Sequence, residues 1–332
     1  MGETDPDQPD LADRADLLLP MALRVAATLR LADLIESGTT DAAGLAARCG
    51  ADARSLAALL RHLVAHGVFE APAPGVYALN GPARQLLDGD PSGLRGWLDL
   101  DGIGGRFDLA YTGLLEAVRT GRAAYASVHG RPFWDDVTVD PGRNAAFHEM
   151  MSGGEHGRRF AAFVAAYDWR GVRHVVDAGG GDGGLLEEVL RAQPGVRGTL
   201  VELPGRLAGA RDRLAAAGLA DRCEIVGGSF FDPLPPGAGV YLLSKVLDDW
   251  DDESAVAILR RCREAAGSSG RVVLVGGLPE ERRPDGDARS DLMMLVLVGG
   301  RERSRDEVLA VVEQAGLAVS AARPEFTELV PA

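Results

Sequence analysis

Positive charge, cysteine and long apolar runs are all scarce in this sequence, and each shortage excludes a class of protein. The 332 residues carry 49 acidic and 35 basic side chains, a net charge of −14, which disfavours nucleic-acid and anionic-membrane partners. The three cysteines, Cys49, Cys223 and Cys262, have no metal-ligand spacing and indicate reduced thiols. No apolar run approaches the roughly 20 residues that cross a bilayer, and the first residues do not resemble a signal peptide. We therefore expect a cytoplasmic protein without a metal site.

Glycine, by contrast, is abundant, and five glycines fall within the six positions 179–184. The β-branched run that precedes them predicts a strand over 174–178, and the leucine-rich run that follows predicts a helix over 185–191. Glycine allows positive φ and lets a ligand lie directly against the main chain. The segment therefore predicts a strand, a ligand-binding turn and a helix.

Two ligands fit that turn. Gly179, Gly181 and Gly184 satisfy the dinucleotide pattern G-x-G-x-x-G, and Glu202 ends the next apolar stretch, where an acid can accept both ribose hydroxyls. Asp177 separates the two candidates because a carboxylate is a poor neighbour for a pyrophosphate. It suits the ammonium and sulfonium groups of S-adenosylmethionine (SAM). The sequence favours SAM over NAD.

The C-terminal half alternates between strand and helix signals. Ser304 and Glu307 form a capping box that opens a helix over 305–315, and another helix is predicted over 253–266. Alternation of this kind predicts an α/β fold, a parallel sheet covered on both faces, with ligands beyond the carboxyl ends of its strands. The predicted strands lie near 174–178, 198–202, 222–226, 239–244 and 271–276.

The N-terminal region has the order helix, helix, hairpin of a winged helix. Residues 11–36 are helical in pattern with a break at Pro20, and Asp52 and either Thr40 or Asp41 can cap the two helices that follow. Apolar stretches near 68–70 and 76–79 make the hairpin. DNA binding by the second helix is one interpretation, since that helix carries Arg54, Arg61, His62 and His66. The acidic chain favours a dimerisation module instead.

Four motifs together carry a family resemblance. Residues 177–183 resemble D-x-G-G-G-x-G, residues 228–232 resemble G-D-F-F, residues 246–252 resemble V-L-H-D-W-x-D, and residues 299–304 resemble G-G-x-E-R-T. The chain is similar over nearly its whole length to the SAM-dependent small-molecule O-methyltransferases of the plant-caffeate and bacterial tailoring type. Within that family it most resembles actinobacterial enzymes for enediyne naphthoates and aromatic polyketides.

The resemblance implies a Rossmann-like class I methyltransferase domain at 166–332, a helical linker and pocket wall at 91–165, a winged-helix dimerisation domain at 11–90 and a disordered tail at 1–10. It implies a homodimer that takes SAM and a small aromatic acceptor. The implied SAM contacts are Asp177, Gly179, Gly181, Glu202, Gly228, Ser229, Phe230, Ser244, Met151, Ser152 and Trp250. The implied acceptor contacts are Phe133, Trp134, Phe147, Met150, Asp249 and Met294. Phe147, Met150 and Met151 share one helical face, a pattern that is more often core than pocket wall.

The sequence departs from the family where the chemistry belongs. The general-base histidine of the family is Asp248 here, and the glutamate that orients it is Gly276. Proximity alone can drive methyl transfer, or Asp248 can itself serve as the base. A third interpretation is a SAM-binding enzyme that hydroxylates, decarboxylates or cyclises without transferring a methyl group, and a fourth is a winged-helix regulator that senses a small molecule. His148 and His156 are the nearest histidines by sequence position.

Overall fold

The computed structural model describes residues 11–152, 155–278 and 288–332, without the side chains of 141, 148–152, 155 and 156. The chain divides into two compact units, Met1–Asp108 and Leu109–Ala332, which are described separately. The predicted tail at 1–10 lies outside the described residues. The predicted domain boundaries at 90 and 165 stay predictions.

The first unit is helical with one small antiparallel hairpin. Phe69 and Tyr77, one from each strand, are buried in a core that also takes Leu45, Leu60 and Leu63 from two helices. The elements are α1 (Leu11–Ala15), α2 (Leu18–Thr28), α3 (Leu31–Glu36), α4 (Ala42–Cys49), α5 (Ala53–Ala65), β1 (Phe69–Ala73), β2 (Val76–Leu79), α6 (Gly81–Arg84), α7 (Leu94–Leu98) and α8 (Ile103–Ala110), which ends just past the boundary.

The predicted helix caps of this unit are confirmed, but the predicted break at Pro20 is wrong. Asp41 accepts from Gly44 N at 2.9 Å and Asp52 accepts from Ser55 N at 2.8 Å, each capping its helix. Pro20 lies in the first turn of α2, where a missing N–H costs no helical hydrogen bond. The chain breaks instead before Leu18 and again at Arg30, whose φ of 54° separates α2 from α3.

The second unit contains a seven-stranded sheet. Its remaining elements are α9 (Leu114–Thr120), α10 (Tyr125–His129), α11 (Phe133–Val139), α12 (Pro141–Ser152), α13 (Glu155–Ala166), β3 (His174–Ala178), α14 (Gly184–Ala192), β4 (Arg197–Glu202), α15 (Leu207–Ala216), β5 (Cys223–Gly227), β6 (Val240–Leu243), α16 (Asp252–Ala266), β7 (Arg271–Val275), α17 (Ala288–Val298), α18 (Arg305–Gln314), β8 (Leu317–Arg323) and β9 (Phe326–Pro331).

The strand order is β5-β4-β3-β6-β7-β9-β8. The five predicted strands are confirmed and run parallel. The predicted parallel sheet omitted β8 and β9, and the whole sheet is mixed because β9 pairs antiparallel with both β7 and β8. The chain turns back at Pro324 and Glu325 without a helix, so the last two strands form a hairpin rather than a parallel crossover.

Helices cover both faces of this sheet. Cores form against α16 and α18 on one face and against α13, α14 and α15 on the other. The capping box at Ser304 and Glu307 is present at the start of α18. The carboxyl ends of the five parallel strands therefore meet at one edge, and the candidate residues on the loops after them meet there too. Within residues 11–152, 155–278 and 288–332, no helix is long and apolar enough to span a membrane.

Candidate functional site

The turn after β3 is built so that only glycine fits. Gly179, Gly181 and Gly183 all have positive φ, at 75°, 58° and 81°. A Cβ on Gly179 would stand 3.0 Å from the ring of Phe230, and a Cβ on Gly180 would stand 2.6 Å from Asp177 Oδ2. The backbone is thus pressed between a carboxylate and an aromatic ring, which leaves room for a ligand only because side chains are absent.

The carboxylate of Asp177 lies against this turn. Its side chain is 1% exposed, and neither carboxylate oxygen has a hydrogen-bond partner among the described residues. Burial, reinforced by the negative charges of Glu202 and Asp182, raises the pKa of Asp177 to about 7. An unpartnered buried carboxylate is costly on its own. A cationic ligand would supply the missing charge.

Glu202, at the end of β4, faces the same turn. It accepts from Gly181 N at 2.9 Å and from Leu203 N at 2.7 Å. A carboxylate offers about four acceptor positions, so two remain for other donors. Arg206 Nη1 lies 3.5 Å from Glu202 Oε1.

Arg206 is a residue that the sequence did not single out. It is 8% exposed and its Nε has no partner among the described residues. Its guanidinium lies 5.0 Å from the Trp134 ring centroid and 5.7 Å from that of Phe147. The side chain therefore joins the acid of β4 to the predicted acceptor wall through cation–π contacts.

That predicted wall is a compact aromatic cluster on α11 and α12. Phe133 packs edge-on against Trp134 at 4.8 Å and against Phe147 at 5.9 Å, and Trp134 lies 5.7 Å from Phe147. Phe133 also contacts Tyr125, whose hydroxyl donates to the buried carboxylate of Asp136 at 2.6 Å. Phe133 and Phe147 are buried. The structure brings all three predicted aromatic residues together.

The segment after β5 lies over the glycine turn. Gly228 N donates to Glu202 O at 3.0 Å, and Ser229 Oγ accepts from Phe231 N at 3.2 Å. The ring of Phe230, against Gly179, packs edge-on with Trp250 at 5.9 Å. Phe230 therefore packs against the turn, Trp250 packs against Phe230, and Gly228 is hydrogen-bonded to Glu202, while the predicted SAM contacts of these residues and of Ser229 stay predictions.

Arg303 holds the loop that carries the acidic motif after β6. It is 5% exposed and donates to Leu247 O at 2.6 Å, Trp250 O at 2.7 Å and Asp252 Oδ1 at 2.9 Å. Gly300 makes the approach possible, since a Cβ there would clash with the backbone of Asp248 and Asp249. The motif at 299–304 thus serves to fix residues 247–252.

The two aspartates on this loop have different surroundings. Asp248 is ion-paired with Lys245 Nζ at 3.1 Å, and its side chain is 35% exposed. Asp249 is half-buried, and desolvation and the charge of Asp248 raise its pKa to about 8, against the opposing charges of Arg206 and Lys245. Lys245 has a φ of 54°, a strained conformation for a non-glycine residue.

The remaining predicted residues have varied positions. Ser244 is half-buried directly after β6, and Met294 is half-buried on α17, a helix that packs against α11 and against the turn Leu247–Asp249. The side chains of Met150, Met151, Ser152, His148 and His156 lie outside the described residues. Gly276, at the glutamate position, has a φ of 115°, and a Cβ there would meet no atom within 4 Å.

A glycine turn tipped by one acid, with a second acid on the neighbouring strand, defines a nucleoside-binding protein of the Rossmann-like class. Residues 111–318 match the O-methyltransferase domain, and residues 15–89 match the O-methyltransferase dimerisation domain. The chain belongs to the SAM-dependent O-methyltransferase family. The predicted fold class and the preference for SAM over NAD are confirmed, and a winged-helix regulator loses its support.

Individual relatives cover almost the whole chain. A 2,7-dihydroxy-5-methyl-1-naphthoate 7-O-methyltransferase from Streptomyces carzinostaticus is 48% identical over 93% of this chain and 92% of its own length. An aclacinomycin 10-hydroxylase from Streptomyces purpurascens is 45% identical over 97% of this chain and 87% of its own. An O-methyltransferase from neocarzinostatin biosynthesis, solved with SAM and 2-hydroxy-5-methyl naphthoic acid, has a TM-score of 0.89 and 46% identity, covering 98% of this chain and 100% of its own.

The residues around the glycine turn fit SAM. The unpartnered oxygens of Asp177 match a ligand that brings a positive charge. The free acceptor positions on Glu202 match ribose hydroxyls, and the absence of side chains at Gly179 and Gly181 leaves the main chain open to the ligand.

Proposed function

We propose that this protein methylates a phenolic hydroxyl of an aromatic natural-product intermediate of the naphthoate or polyketide type. The observation that carries the proposal is the position of Arg206. One buried side chain contacts both Glu202, the ribose acid, and the rings of Trp134 and Phe147. The cofactor-binding acid and an aromatic wall therefore belong to one site. The 48% identical relative supports an acceptor of the naphthoate class.

The chain's own residues bind and orient the reactants. SAM, when bound, supplies an electrophilic methyl group. Glu202 would hold its ribose and Asp177 its cationic end, and Phe230 packs beside the turn with Trp250 against it. Phe133, Trp134 and Phe147, with Met294, would orient the acceptor ring so that its hydroxyl oxygen faces the methyl group. Such orientation can supply several kcal/mol of the barrier reduction.

Asp248 has a lesser part in this mechanism. Its carboxylate is paired with Lys245 and partly exposed, unlike a desolvated general base. A phenol that reaches the site already ionised, or whose neighbouring carboxylate takes up the hydroxyl proton as an intramolecular base, needs no base from the protein. We therefore assign the rate enhancement mainly to proximity.

The direct test is incubation with SAM and a panel of phenols and hydroxynaphthoates, followed by mass spectrometry. Methyl transfer gives a product 14 mass units heavier and one S-adenosylhomocysteine for each product, as exchange of a hydrogen for a methyl group requires. Glu202→Ala is the negative control, and Glu188→Ala, an exposed acid on α14, is its matched partner. The absence of S-adenosylhomocysteine with every acceptor would contradict the proposal.

A second function is favoured by one relative. The aclacinomycin 10-hydroxylase shares 45% identity with this chain, so high similarity accompanies more than one named activity in this family. The loss of both the histidine and the glutamate of the acid–base pair is compatible with a SAM-dependent hydroxylation, decarboxylation or cyclisation. In that case the same assay gives a product whose mass change is not that of a methyl group, without stoichiometric S-adenosylhomocysteine.

We further propose that the protein is a cytoplasmic homodimer. Four apolar side chains at the N-terminus remain exposed within the first unit: Leu11, Leu17, Leu18 and Met21. An exposed apolar stripe of this kind is typical of a subunit interface. Light scattering should give about twice the 34.9 kDa of the chain. A monomer at micromolar concentration would refute the homodimer.

A further inference from the structure

Arg206 is a buried cation whose hydrogen-bonding capacity is unused. It forms an ion pair with Glu202 at 3.5 Å, but its side chain donates no hydrogen bond to any described residue. A guanidinium has N–H donors on every nitrogen, and a buried charge is costly unless it is paired and hydrogen-bonded. Nε is enclosed by protein, whereas the Nη groups keep the remaining exposure of the side chain and are open to a ligand.

The position of Arg206 puts these donors between the predicted contacts of the cofactor and those of the acceptor. Glu202, the predicted ribose acid, lies on one side of the guanidinium. The ring centroids of Trp134 and Phe147, from the predicted acceptor wall, lie 5.0 Å and 5.7 Å from it. A ligand oxygen at the Nη groups would therefore lie between the ribose acid and the aromatic wall.

Other acids near these elements do not pair with Arg206. Asp136 lies on α11, which packs against the turn Pro204–Arg206, but its carboxylate is engaged in other hydrogen bonds. Desolvation raises the pKa of Asp249, on the loop after β6, to about 8 against the opposing charge of Arg206, so most of this acid is protonated at neutral pH. Within the described part of the chain, Glu202 is the ion-pair partner of Arg206, and an oxygen anion from a ligand would supply the missing hydrogen bonds.

We propose that Arg206 is a catalytic residue that binds the acceptor oxygen through its Nη groups and stabilises the phenolate over the neutral phenol. The role rests on the proposed methylation of a phenol and adds to the effect of proximity. The hydroxyl proton passes to bulk water, the oxygen keeps the electron pair that forms the new O–C bond, and the pair of the broken C–S bond returns to sulfur. No proton acceptor from the chain is required.

Such a role accounts for the loss of the family's acid–base pair. Asp248 is paired with Lys245, and Gly276 has no side chain. Both of these positions line a cavity of about 350 Å³ at the ends of β6 and β7, and Arg206 is not part of its lining. A fixed positive charge beside the reacting oxygen favours ionisation without taking up the proton itself.

The first test measures the ionisation of 1-naphthol bound in the presence of saturating S-adenosylhomocysteine, from the ultraviolet absorbance of the naphtholate ion. S-adenosylhomocysteine lacks the sulfonium charge, so the measurement isolates the effect of the protein. An opposite charge nearby lowers a pKa by about 1–3 units, and the bound naphthol should ionise at a pH lower than free naphthol by that amount. Bound naphthol that ionises at or above the pH of free naphthol would overturn the proposal without any variant.

The second test removes the charge. In Arg206→Met the apolar wall and the nearby acids disfavour the anion, so bound naphthol should ionise at or above the pH of free naphthol. Arg206→Lys should keep part of the lowering, and Arg211→Met, at an exposed arginine on α15, should keep all of it. 1-Methoxynaphthalene has no ionisable group and should bind the native protein and Arg206→Met with similar affinity. A lowering that persists in Arg206→Met, or an equal weakening of 1-methoxynaphthalene and 1-naphthol, would overturn the catalytic role.

Turnover separates this role from the proposed function. Arg206→Met should lose about 10- to 1,000-fold in kcat/KM at neutral pH, the factor by which the ionised fraction falls, and should recover part of it at alkaline pH. An Arg206-dependent lowering of the naphthol pKa in a protein that transfers no methyl group would sustain the role in binding phenolate and refute the proposed function. Methyl transfer without such a lowering would do the reverse.

Discussion

Two regions at the same edge of the sheet differ in how tightly the sequence constrains them. The cofactor end comprises the turn after β3 and Glu202. Its glycines are pressed against Asp177 and Phe230, and its acids are buried. The acceptor end comprises residues 245–252 and the cavity beside Gly276. There the family's acid–base pair is absent. The structure has instead the backbone strain at Lys245, the exposed ion pair of Lys245 with Asp248, and a cavity of about 350 Å³.

This difference separates two kinds of constraint. At the cofactor end a Cβ on Gly179 would meet the side chains of Phe230 and Val246, and a Cβ on Gly180 would meet the carboxylate of Asp177, so packing disfavours substitutions there. At the acceptor end the space is open and the polar groups are accessible, so residues can change without disturbing the fold. Within this chain the cofactor end therefore fixes the cofactor, whereas the acceptor end can vary with the substrate and the reaction.

The largest effect expected at the cofactor end is a pH dependence of stability. The pKa of Asp177 rises from 3.8 to about 7 on folding, so the native state holds this proton more tightly. The contribution of Asp177 to the free energy of unfolding is fully present below about pH 4. It is lost as the pH rises to about 7, and the loss is of order 4 kcal/mol. Asp177→Asn has no such titration.

Urea unfolding of both proteins from about pH 4.5 to 8 measures the effect. The stability of Asp177→Asn relative to the native protein should rise with pH and level off near 7. A difference that is constant across this range would contradict the assigned burial of a carboxylic acid. Bound SAM should reduce the difference, because a cation favours the ionised carboxylate.

Arg303→Met breaks the element that gives the acceptor end its order. The change removes three side-chain hydrogen bonds from the loop 247–252, to Leu247 O, Trp250 O and Asp252 Oδ1, and leaves Leu247 O with only the N–H of Trp250 at 3.3 Å. We expect a loss of about 2–4 kcal/mol in the free energy of unfolding and at least a tenfold loss of turnover. Arg305→Met, an exposed position on the same segment, is the control. Unchanged stability in Arg303→Met would show that the loop is held by other contacts.

Glu202→Ala sharpens the comparison because it should weaken the binding of the cofactor and leave the binding of the acceptor unchanged. Removal of a charge-assisted pair to ribose hydroxyls should cost about 1.5–3 kcal/mol of SAM affinity, measured by calorimetry. Acceptor affinity at saturating SAM should change little if the two ends are independent. An equal loss of acceptor affinity would mean that Arg206, released from Glu202, no longer supports the aromatic wall.

The sequence predicted the cofactor end better than the acceptor end, for physical reasons. Asp177, the glycines and Glu202 form a local pattern in which each residue type is dictated by backbone geometry or charge. Arg206 follows Leu203, Pro204 and Gly205 without any local signature, and only the tertiary structure shows its contact with Trp134. The hairpin β8–β9 was missed although Leu317 and Val319 alternate in a strand pattern, because alternation with helices suggested parallel strands throughout.

Asp248→Asn has the smallest expected effect and tests most directly the claim that the acceptor end works without a general base. The variant keeps the shape of the side chain and removes its proton-accepting charge. If proximity drives the reaction, kcat should fall about tenfold or less, and its pH profile should follow ionisation of the phenol. A loss of about 100-fold or more, together with a pH profile that no longer depends on the acceptor's own ionisation, would identify Asp248 as the base and contradict this account.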